Sequence, residues 1–341
     1  MTLDVYQMDN SCLIDTLGHN FDFHPASEML SVVLVGGKGT RLNEHRKLIR
    51  REDYPEMDEK YYGEVGPKAM AVMNCETPSG PIQRPLTDWH LDIHTQCDKI
   101  SKIILGLGYR ADIMIDYYEK VHRSKYRGVP LEYLVEDNPA GTLAPIIKLM
   151  ENNRLPQIPI VFANGDNLME IDFYRAYLIG CYFALKQGIH PWDAVIDVIA
   201  LVPWEESNAY GTIDYDFDTG FARRFKEKGP VENNPHKTID GREFTPINSG
   251  FSIIPNPKQV FEKNIPDDAV ETSRQLEAGH LDYKVHEADV KYETLYEKIA
   301  RDGKLFGVYF ATYWTDLGTE EKISAAEKDF ATTKVVKRYY S

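Results

Sequence analysis

The chain has 341 residues, of which 43% are hydrophobic and 27% charged, so it can bury a large core and is not a disordered chain. Its 39 Lys and Arg residues stand against 53 Asp and Glu residues, which gives a net charge of −14. Such an excess of acid repels nucleic-acid phosphates and anionic membranes, so we expect neither as a partner. A small phosphate ligand in one basic pocket remains compatible with this charge.

The cysteines and the N-terminal sequence suggest a cytoplasmic location. The cysteines lie far apart without a Cys-x-x-Cys pair, which is neither a disulfide framework nor a zinc ribbon. The N-terminus is acidic and lacks the apolar middle of a signal peptide, and no apolar stretch reaches the roughly 18 residues of a membrane span. We therefore expect reduced thiols at Cys12, Cys75, Cys97 and Cys181.

The first predicted element is a buried strand at 31–35, a continuous β-branched run that ends in a glycine-rich loop. A strand that is apolar on both faces is typical of a parallel sheet. The next stretch, 43–66, is charged and contains three tyrosines, and we interpret it as an insertion exposed at the surface rather than as core.

The rest of the chain alternates between helices and strands, as in an α/β fold. Predicted helices lie at 86–97, 111–121, 141–150 and 172–186, and predicted strands at 102–106, 131–134 and 158–163. Strands then dominate, at 194–202, 210–215, 221–226, 247–254 and 304–310. Since no Pro/Gly/Ser linker divides the chain, we predict a leader (1–30), one large domain (31–322) with a doubly wound front half and a mixed back half, and a tail (323–341).

Residues 36–42, GGKGTRL, form a candidate phosphate-binding loop. Glycines after a buried strand let backbone N–H groups approach phosphate oxygens, and a helix N-terminus adds positive potential. A Walker A loop does not fit, because Lys38 precedes Gly39 with the wrong spacing. A dinucleotide fingerprint does not fit, because Leu42 stands where a third glycine belongs. A tight turn without a ligand is the remaining alternative.

Two cations favour a ligand at this loop. Arg41 lies at the end of the loop, and Lys68 follows Pro67 just beyond the 43–66 stretch. Both would face a phosphate chain if the second segment returns to the first. Cations together with backbone donors suit a triphosphate.

At these residues the sequence resembles the sugar-1-phosphate nucleotidyltransferase family. The family signature is a strand followed by G-G-x-G-T-R-L and then P-K-x-[LM], and both parts stand here as GGKGTRL at 36–42 and PKAM at 67–70, although with a longer spacing than usual. Further segments resemble the family in order from about 31 to 320. They are EDNPAGT at 136–142, NGD at 164–166, YG at 210–211, FKEK at 225–228, INSG at 247–250 and YWTDLGT at 313–319.

The resemblance implies a Rossmann-like, doubly wound mixed sheet and transfer of a nucleotidyl group from a nucleoside triphosphate to a sugar 1-phosphate, with release of pyrophosphate. It implies catalytic roles for Arg41, Lys68 and Asp166. It also implies nucleotide binding by Gly36, Gly37, Gly39, Thr40, Arg41, Gly141 and Thr142, and sugar-phosphate binding by Gly211, Glu227, Lys228 and Asn248. From the residues alone, a solvated strand end is the alternative for Glu227 and Lys228.

Asp166 and Asp316 are the candidate metal ligands. Each follows a predicted strand, and the carboxyl ends of strands meet at the ligand crevice of an open α/β sheet. Mg²⁺ is commonly held by one or two carboxylates together with phosphate oxygens. We therefore expect Mg²⁺ as cofactor, with catalysis coming from positioning and from charge neutralisation by the metal, Arg41 and Lys68. The alternative for each aspartate is a helix cap or turn.

Two other metal patterns are weaker. His90, His94 and Cys97 have helical spacing for zinc, but a fourth ligand is missing. Residues 214–218 begin like a calcium loop, yet the bidentate Glu at position twelve is absent, so we predict a hairpin turn there.

Other functions remain open on sequence alone. The triphosphate half of the site would look the same in a cytidylyltransferase for a non-sugar phosphate. A regulatory or partner-binding relative could use the 43–66 stretch, although it has no need of the complete set of cations and carboxylates. A glycosyltransferase would carry Asp-x-Asp after its metal strand, where this chain has NGD at 164–166. The base and the sugar are undetermined, and we hypothesise a homodimer.

Overall fold

The computed structural model describes residues 5–77, 80–138 and 140–331. Pro139 of the EDNPAGT segment at 136–142, the first four leader residues and the last ten tail residues lie outside the described chain. The helices are α1 (Asn10–Phe21), α2 (Leu86–Thr95), α3 (Ala111–Lys120), α4 (Ala144–Glu151), α5 (Phe173–Lys186), α6 (Pro257–Asn264), α7 (Asp267–Glu277), α8 (Tyr283–His286), α9 (Tyr292–Arg301) and α10 (Glu320–Ala331). None of these described helices is long and apolar enough to cross a bilayer.

The helices predicted from the sequence correspond to α2 to α5, whereas α1 and α6 to α10 were not predicted. The described strands include every one predicted from residue 86 onward, together with four short ones that were not. They are β1 (Met29–Leu34), β2 (Val72–Thr77), β3 (Gly80–Pro85), β4 (Ile100–Leu107), β5 (Lys125–Tyr126), β6 (Val129–Val135), β7 (Ile160–Asn164), β8 (Asn167–Met169), β9 (Val195–Pro203), β10 (Thr212–Tyr215), β11 (Ala222–Lys226), β12 (Lys237–Ile239), β13 (Arg242–Ile254), β14 (Leu305–Tyr309) and β15 (Trp314–Asp316).

The chain falls into two compact units, each built from separate segments. The first unit contains residues up to 29, 140–162 and 172–311, and the second unit contains the remaining residues. Helix α1 of the predicted leader belongs to the first unit and contacts α5. The boundaries proposed above for leader, domain and tail stay a prediction.

The second unit contains the predicted parallel α/β arrangement. Strands β4 and β6 pair in parallel, with Ile103 opposite Leu131. The predicted strand at 31–35 is β1, and its Val32 and Val33 side chains are fully buried, as a strand that is apolar on both faces requires. Strands β8 and β15 form a short antiparallel pair in the same unit. This pair brings two distant chain segments side by side.

The first unit contains a mixed sheet. Strand β9 pairs antiparallel with β13 and parallel with β14, and β10 pairs antiparallel with β11. The connection from β10 to β11 is the predicted hairpin, in which the Asp216 side chain accepts hydrogen bonds from the N–H groups of Asp218 (3.0 Å) and Thr219 (3.2 Å). The mixed α/β class predicted from the sequence is confirmed.

The 43–66 stretch is more buried than predicted. Ile49, Tyr54, Met57 and Tyr61 are core residues, and the Tyr54 hydroxyl donates to the Met70 carbonyl at 2.6 Å. Charged residues stand between each of these four positions, so the stretch as a whole has the composition of a solvated segment. The interpretation of this stretch as surface rather than core is therefore wrong for these four side chains.

Candidate active site

The glycine-rich loop lies directly after β1 and depends on two of its glycines. A side chain at Gly36 would approach the Gly108 backbone nitrogen to 2.9 Å. Gly39 has φ +65° and packs so close to Lys68 that a side chain at Gly39 would approach Lys68 Cβ to 2.7 Å. Gly37 has open space around it, so its need for glycine is not steric. The loop is thereby held against the start of the Lys68 segment.

The backbone of this loop presents donors without acceptors. Within the described residues, the backbone N–H groups of residues 36–41 donate no hydrogen bond to the protein. The Lys68 N–H donates to the Gly37 carbonyl at 3.1 Å, which returns the second segment to the first, as predicted. Thr40 and Arg41 are exposed at the end of the loop. Consecutive free N–H groups with nearby cations are a common arrangement for binding phosphate.

Asp166 lies beside Lys68. The Lys68 ammonium donates to Asp166 Oδ2 at 2.5 Å. Desolvation would raise the pKa of the Asp166 carboxyl, but the charge and hydrogen bond of Lys68 hold that pKa below its usual value. Gly165 permits this placement, since its N–H donates to the Leu34 carbonyl at 2.9 Å and a side chain there would collide with Val35.

Asp316 is brought next to Asp166 by the pairing of β8 with β15. Asp316 lies opposite Asn167 in this pair, and the Leu317 N–H donates to the Asp166 carbonyl at 2.7 Å. Asp316 Oδ1 accepts from the Gly318 N–H at 3.1 Å, and Lys322 contacts its other carboxylate oxygen. The Arg41 guanidinium lies against Gly318.

The two carboxylates suit a magnesium ion better than a metal held by protein ligands alone. Asp166 lies in the turn just before β8, Asp316 ends the paired strand β15, and each carboxylate pairs with one lysine. Among the described residues, no group of three or more His, Cys, Asp or Glu side chains is placed to hold a metal. Mg²⁺ needs only one or two carboxylates when phosphate oxygens and water complete its octahedron. The donor set therefore fits Mg²⁺ bound together with a phosphate chain.

His90 and His94, whose spacing resembles that of zinc ligands, are part of a buried hydrogen-bond chain. His90 Nδ1 contacts the Asn167 carbonyl at 2.7 Å, His90 Nε2 contacts His94 Nε2 at 3.0 Å, and His94 Nδ1 contacts Ser31 Oγ at 2.8 Å. Burial lowers the pKa of His90 to about 4 and also lowers that of His94. All four ring nitrogens thus have partners, and the chain ends on the residue after Asp166. The sequence did not predict that these two histidines support the residue next to Asp166.

Gly141 and Thr142 lie in the first unit, where they contact the residues at the start of α9. Gly141 has φ +91°, and a side chain there would approach Val290 Cγ2 to 2.4 Å. The Thr142 hydroxyl accepts from the Tyr292 N–H at 2.7 Å and donates to Glu293 at 3.3 Å. The Thr142 side chain therefore fixes this segment through its contacts with Tyr292 and Glu293.

Three of the predicted sugar-phosphate residues gather in the first unit. The Asn248 N–H donates to the Gly211 carbonyl at 3.0 Å, and a side chain at Gly211 would lie 3.4 Å from Glu227 Oε2. Burial and the charge of Glu293 raise the pKa of the Glu227 carboxyl against the opposing effect of Lys228. Lys228 itself is exposed.

The Asn248 side chain is fixed by a residue that the sequence did not single out. Its Oδ1 accepts from the Gly250 N–H at 2.7 Å, and its Nδ2 donates to Asp197 Oδ1 at 3.0 Å. Asp197 is fully buried, and burial raises its pKa well above the usual range. The Tyr296 hydroxyl donates to the same oxygen at 3.3 Å. Asp197 sits in the apolar β9, so only the structure reveals this contact.

Comparison with protein families gives one match that covers more than half of the chain. The sequence model of the family described as "Nucleotidyl transferase" matches residues 97–333. This range contains Asp166, Gly211, Glu227, Asn248 and Asp316. The glycine-rich loop and Lys68 precede it.

Similar characterised proteins are sugar-phosphate guanylyltransferases. The chain is 23% identical over 201 residues to D-glycero-alpha-D-manno-heptose 1-phosphate guanylyltransferase from Aneurinibacillus thermoaerophilus, covering 59% of this chain and 68% of that protein. It is 25% identical over 290 residues to mannose-1-phosphate guanyltransferase from Yarrowia lipolytica, covering 85% and 61%. The same enzyme from Candida albicans is 25% identical, with 68% and 51% covered. The chain thus spans about half to two thirds of the length of these relatives.

Solved structures share the fold. HddC from Yersinia pseudotuberculosis complexed with GMP-PN matches with a TM-score of 0.50 and 19% identity, covering 88% of this chain and 98% of that one. A Bacillus anthracis protein provisionally assigned as a glucose-1-phosphate thymidylyltransferase, in complex with sucrose, matches with a TM-score of 0.54 and 17% identity, covering 91% and 98%. These likenesses confirm the predicted fold class.

Proposed function

The chain belongs to the nucleotidyl transferase family, and we propose that it transfers a nucleotidyl group from a nucleoside triphosphate to a sugar 1-phosphate and releases pyrophosphate. The observation that carries this proposal is the glycine-rich loop, whose N–H groups at 36–41 donate to no protein acceptor within the described chain. Such a loop with adjacent cations is suited to a triphosphate.

The reaction is an in-line displacement at the α-phosphorus. An oxygen of the sugar 1-phosphate attacks, the bond between the α-phosphorus and the bridging oxygen breaks, and pyrophosphate leaves with the bonding electron pair. The protein contributes little covalent chemistry to such a reaction, so its work is positioning and charge neutralisation. Arg41 and Lys68 would neutralise charge on the phosphate chain.

Asp166 and Asp316 would hold Mg²⁺, which when bound neutralises phosphate charge and fixes the phosphate geometry. The pairing of β15 with β8, which brings Asp316 next to the turn that carries Asp166, supports this assignment. Lys68 and Lys322 each pair with one of these carboxylates, so the protein stabilises both negative charges by its own cations.

The first unit would supply the sugar and base contacts. Glu227 would accept hydrogen bonds from sugar hydroxyls, Asn248 would donate to the sugar, and Lys228 would contact its phosphate. The backbone at Gly141 and Thr142 would contact the base. Since the similar characterised proteins are guanylyltransferases, we propose guanine as the base. A cytoplasmic location and a homodimer remain predictions.

The test is pyrophosphate release from each nucleoside triphosphate against a panel of hexose and heptose 1-phosphates, with Mg²⁺ and with chelator. We expect a Mg²⁺-dependent signal with GTP and one class of sugar 1-phosphate. Activity with another triphosphate would correct the base and keep the reaction. Activity confined to CTP and an amino-alcohol phosphate would replace the sugar with a non-sugar acceptor. Silence throughout, in a protein that melts cooperatively, would contradict the proposed activity.

A further inference from the structure

The 43–66 stretch is closed at its base by backbone hydrogen bonds. The Gly66 N–H donates to the Lys47 carbonyl, the Ile49 N–H to the Glu64 carbonyl, and the Gly63 N–H to the Ile49 carbonyl, each at 2.9 Å. The chain therefore leaves the glycine-rich loop and returns beside the same loop at Lys68. Whatever side chains lie at this closed base are held against the phosphate-binding backbone.

Lys47 is the side chain at that base, and it is buried. Lys47 is only 3% exposed, and its ammonium donates to the carbonyls of Lys38 at 3.2 Å and Gly39 at 3.0 Å. Lys47 makes no ion pair within the described residues. Burial lowers its pKa, an effect that the nearby Glu44 opposes and Lys38 reinforces. Burial of an ammonium without a carboxylate partner costs free energy, so stability alone does not explain why Lys47 is buried against these two carbonyls.

The peptide geometry supplies that reason. In a trans peptide the carbonyl of one residue and the N–H of the next point in opposite directions. The carbonyls of Gly37, Lys38 and Gly39 are engaged by the Lys68 N–H and by the Lys47 ammonium. The N–H groups of the three following peptides, at residues 38–40, therefore point away from these contacts. They are among the loop N–H groups that donate to no protein acceptor in the part of the chain described.

We propose that Lys47 is a positioning residue for the nucleoside triphosphate: its ammonium fixes the Lys38 and Gly39 carbonyls so that the next two N–H groups are oriented for phosphate, and its charge adds to the attraction of the loop for phosphate. This inference rests on the proposed function of the loop. It gives the 43–66 stretch a role, which is to hold the Lys47 ammonium against the glycine-rich loop. Lys68 packs against the same loop from a separate segment.

The test compares Lys47→Met, which keeps the apolar stem without charge or donors, with Lys60→Met in the same stretch. Lys60 is exposed and pairs with Asp58, so its loss should change nothing. The probe is inorganic tripolyphosphate, whose binding is measured by calorimetry and does not depend on the base. We expect Lys47→Met to weaken tripolyphosphate binding about 10-fold, the factor that corresponds to about 1.4 kcal/mol.

A general structural role would not give the expected kinetic pattern. With substrates identified, Lys47→Met should raise the KM for the triphosphate about 10-fold while the KM for the acceptor stays unchanged, since the acceptor residues lie elsewhere. If Lys47→Met fails to melt cooperatively, Lys47→Gln decides, because it retains an N–H donor but lacks the charge and is one bond shorter. Wild-type affinity in a folded Lys47→Met or Lys47→Gln would overturn the inference alone. Absence of tripolyphosphate binding by the wild type would instead contradict the proposed function of the loop.

Discussion

Two aspartates, one in each unit, meet opposite electrostatic conditions. Asp166 of the second unit is partly exposed and pairs with Lys68 at 2.5 Å, which lowers its pKa and keeps its carboxyl ionised. Asp197 of the first unit is fully buried, and burial raises its pKa well above the usual range. Within the described residues, Asp197 has no ion-pair partner, and neutral donors, Asn248 and Tyr296, contact it instead.

The difference separates two ways of building a site. A charge next to a phosphate chain acts through its field, so it must stay ionised and near the surface. A carboxyl that orients an amide acts through a hydrogen bond, so it can be neutral and buried if its partners are satisfied. The second unit thus uses the Asp166 carboxylate as a charge, whereas burial of Asp197 in the first unit favours the neutral form of a carboxyl that accepts hydrogen bonds. Substitutions that remove charge but keep shape should therefore have opposite outcomes in the two units.

The largest effect is expected for Asp166→Asn. The amide keeps the shape but removes a negative charge, so it weakens metal coordination and leaves the Lys68 ammonium without its partner. We expect kcat to fall by about 100-fold or more, the scale of losing one charge-stabilising group in an active site. Steady-state kinetics over a Mg²⁺ titration measure this. Asp98→Asn, at an exposed position in the same unit, serves as control and should keep full activity. Full activity of Asp166→Asn at ordinary Mg²⁺ would remove Asp166 from the metal site.

A somewhat smaller effect is expected for Lys68→Met. The substitution removes the charge that faces the phosphate chain, and kcat/KM for the triphosphate should fall by about 30-fold or more. Because Lys68 lowers the pKa of Asp166, the acid limb of the pH–rate profile should also move to higher pH. Lys99→Met, at a lysine that pairs with exposed Asp98, should leave both quantities unchanged. An unchanged rate for Lys68→Met would leave Lys68 as a surface lysine.

At Asp197, removing the charge while keeping the shape should have little effect, in contrast to Asp166. Asp197→Asn replaces a neutral carboxyl with a neutral amide that still accepts from Asn248, so stability should change by less than about 1 kcal/mol and kinetics hardly at all. Asp197→Ala removes the acceptor of the Asn248 amide and leaves a cavity, while the Tyr296 hydroxyl keeps its contact with Ser252. We therefore expect a loss of about 2–4 kcal/mol in the free energy of unfolding.

Denaturant unfolding and the KM for the sugar 1-phosphate distinguish these variants. Asp197→Ala should raise that KM about 10-fold by releasing the Asn248 amide, with the KM for the triphosphate unchanged. A strongly destabilised Asp197→Asn would show that the carboxyl is ionised in the folded protein, and the contrast with Asp166 would then disappear.

The sequence could predict site residues that lie in short motifs, whereas the buried support at Asp197 and His90 could not be predicted. The glycine-rich loop, Lys68, Asp166 and Asp316 stand in short motifs at strand ends, where local chemistry is visible in neighbouring residues. Asp197 lies inside the apolar run of β9, and its partners are 51 and 99 positions away. His90 supports Asn167 from 77 positions away. Such contacts arise from packing, which no local period encodes.

The missed helices have a related cause. Helices α6, α7 and α9 carry many charged residues, and only one side of each is buried. The burial of Lys47 could not be predicted for the same reason, since nothing in the charged 43–66 stretch distinguishes a buried lysine from a solvated one. Charge alone in a sequence favours a solvated face, and burial of a single charge becomes evident only in three dimensions.

The smallest expected effect concerns Glu227, which lies between the two extremes. Burial and Glu293 raise its pKa above the usual 4.5 without removing it from water entirely. A raised carboxyl pKa disfavours the ionised form in the folded state, so it reduces stability at neutral pH, and this cost disappears as pH falls through the raised pKa. Glu227→Gln should therefore melt slightly higher than wild type at pH 7, and the gap should close toward pH 4.

Lowering the pH should weaken binding of the sugar 1-phosphate by Glu227, although it removes the stability cost. If the ionised carboxylate accepts from sugar hydroxyls, the KM of the wild type for the sugar 1-phosphate rises as pH falls through the raised pKa, whereas Glu227→Gln shows a higher KM with little pH dependence. Melting curves and KM profiles between pH 4 and 8 test both statements on the same samples. A wild-type KM that is flat across this range, with Glu227→Gln equal to it, would place Glu227 on a solvated strand end rather than in the sugar site.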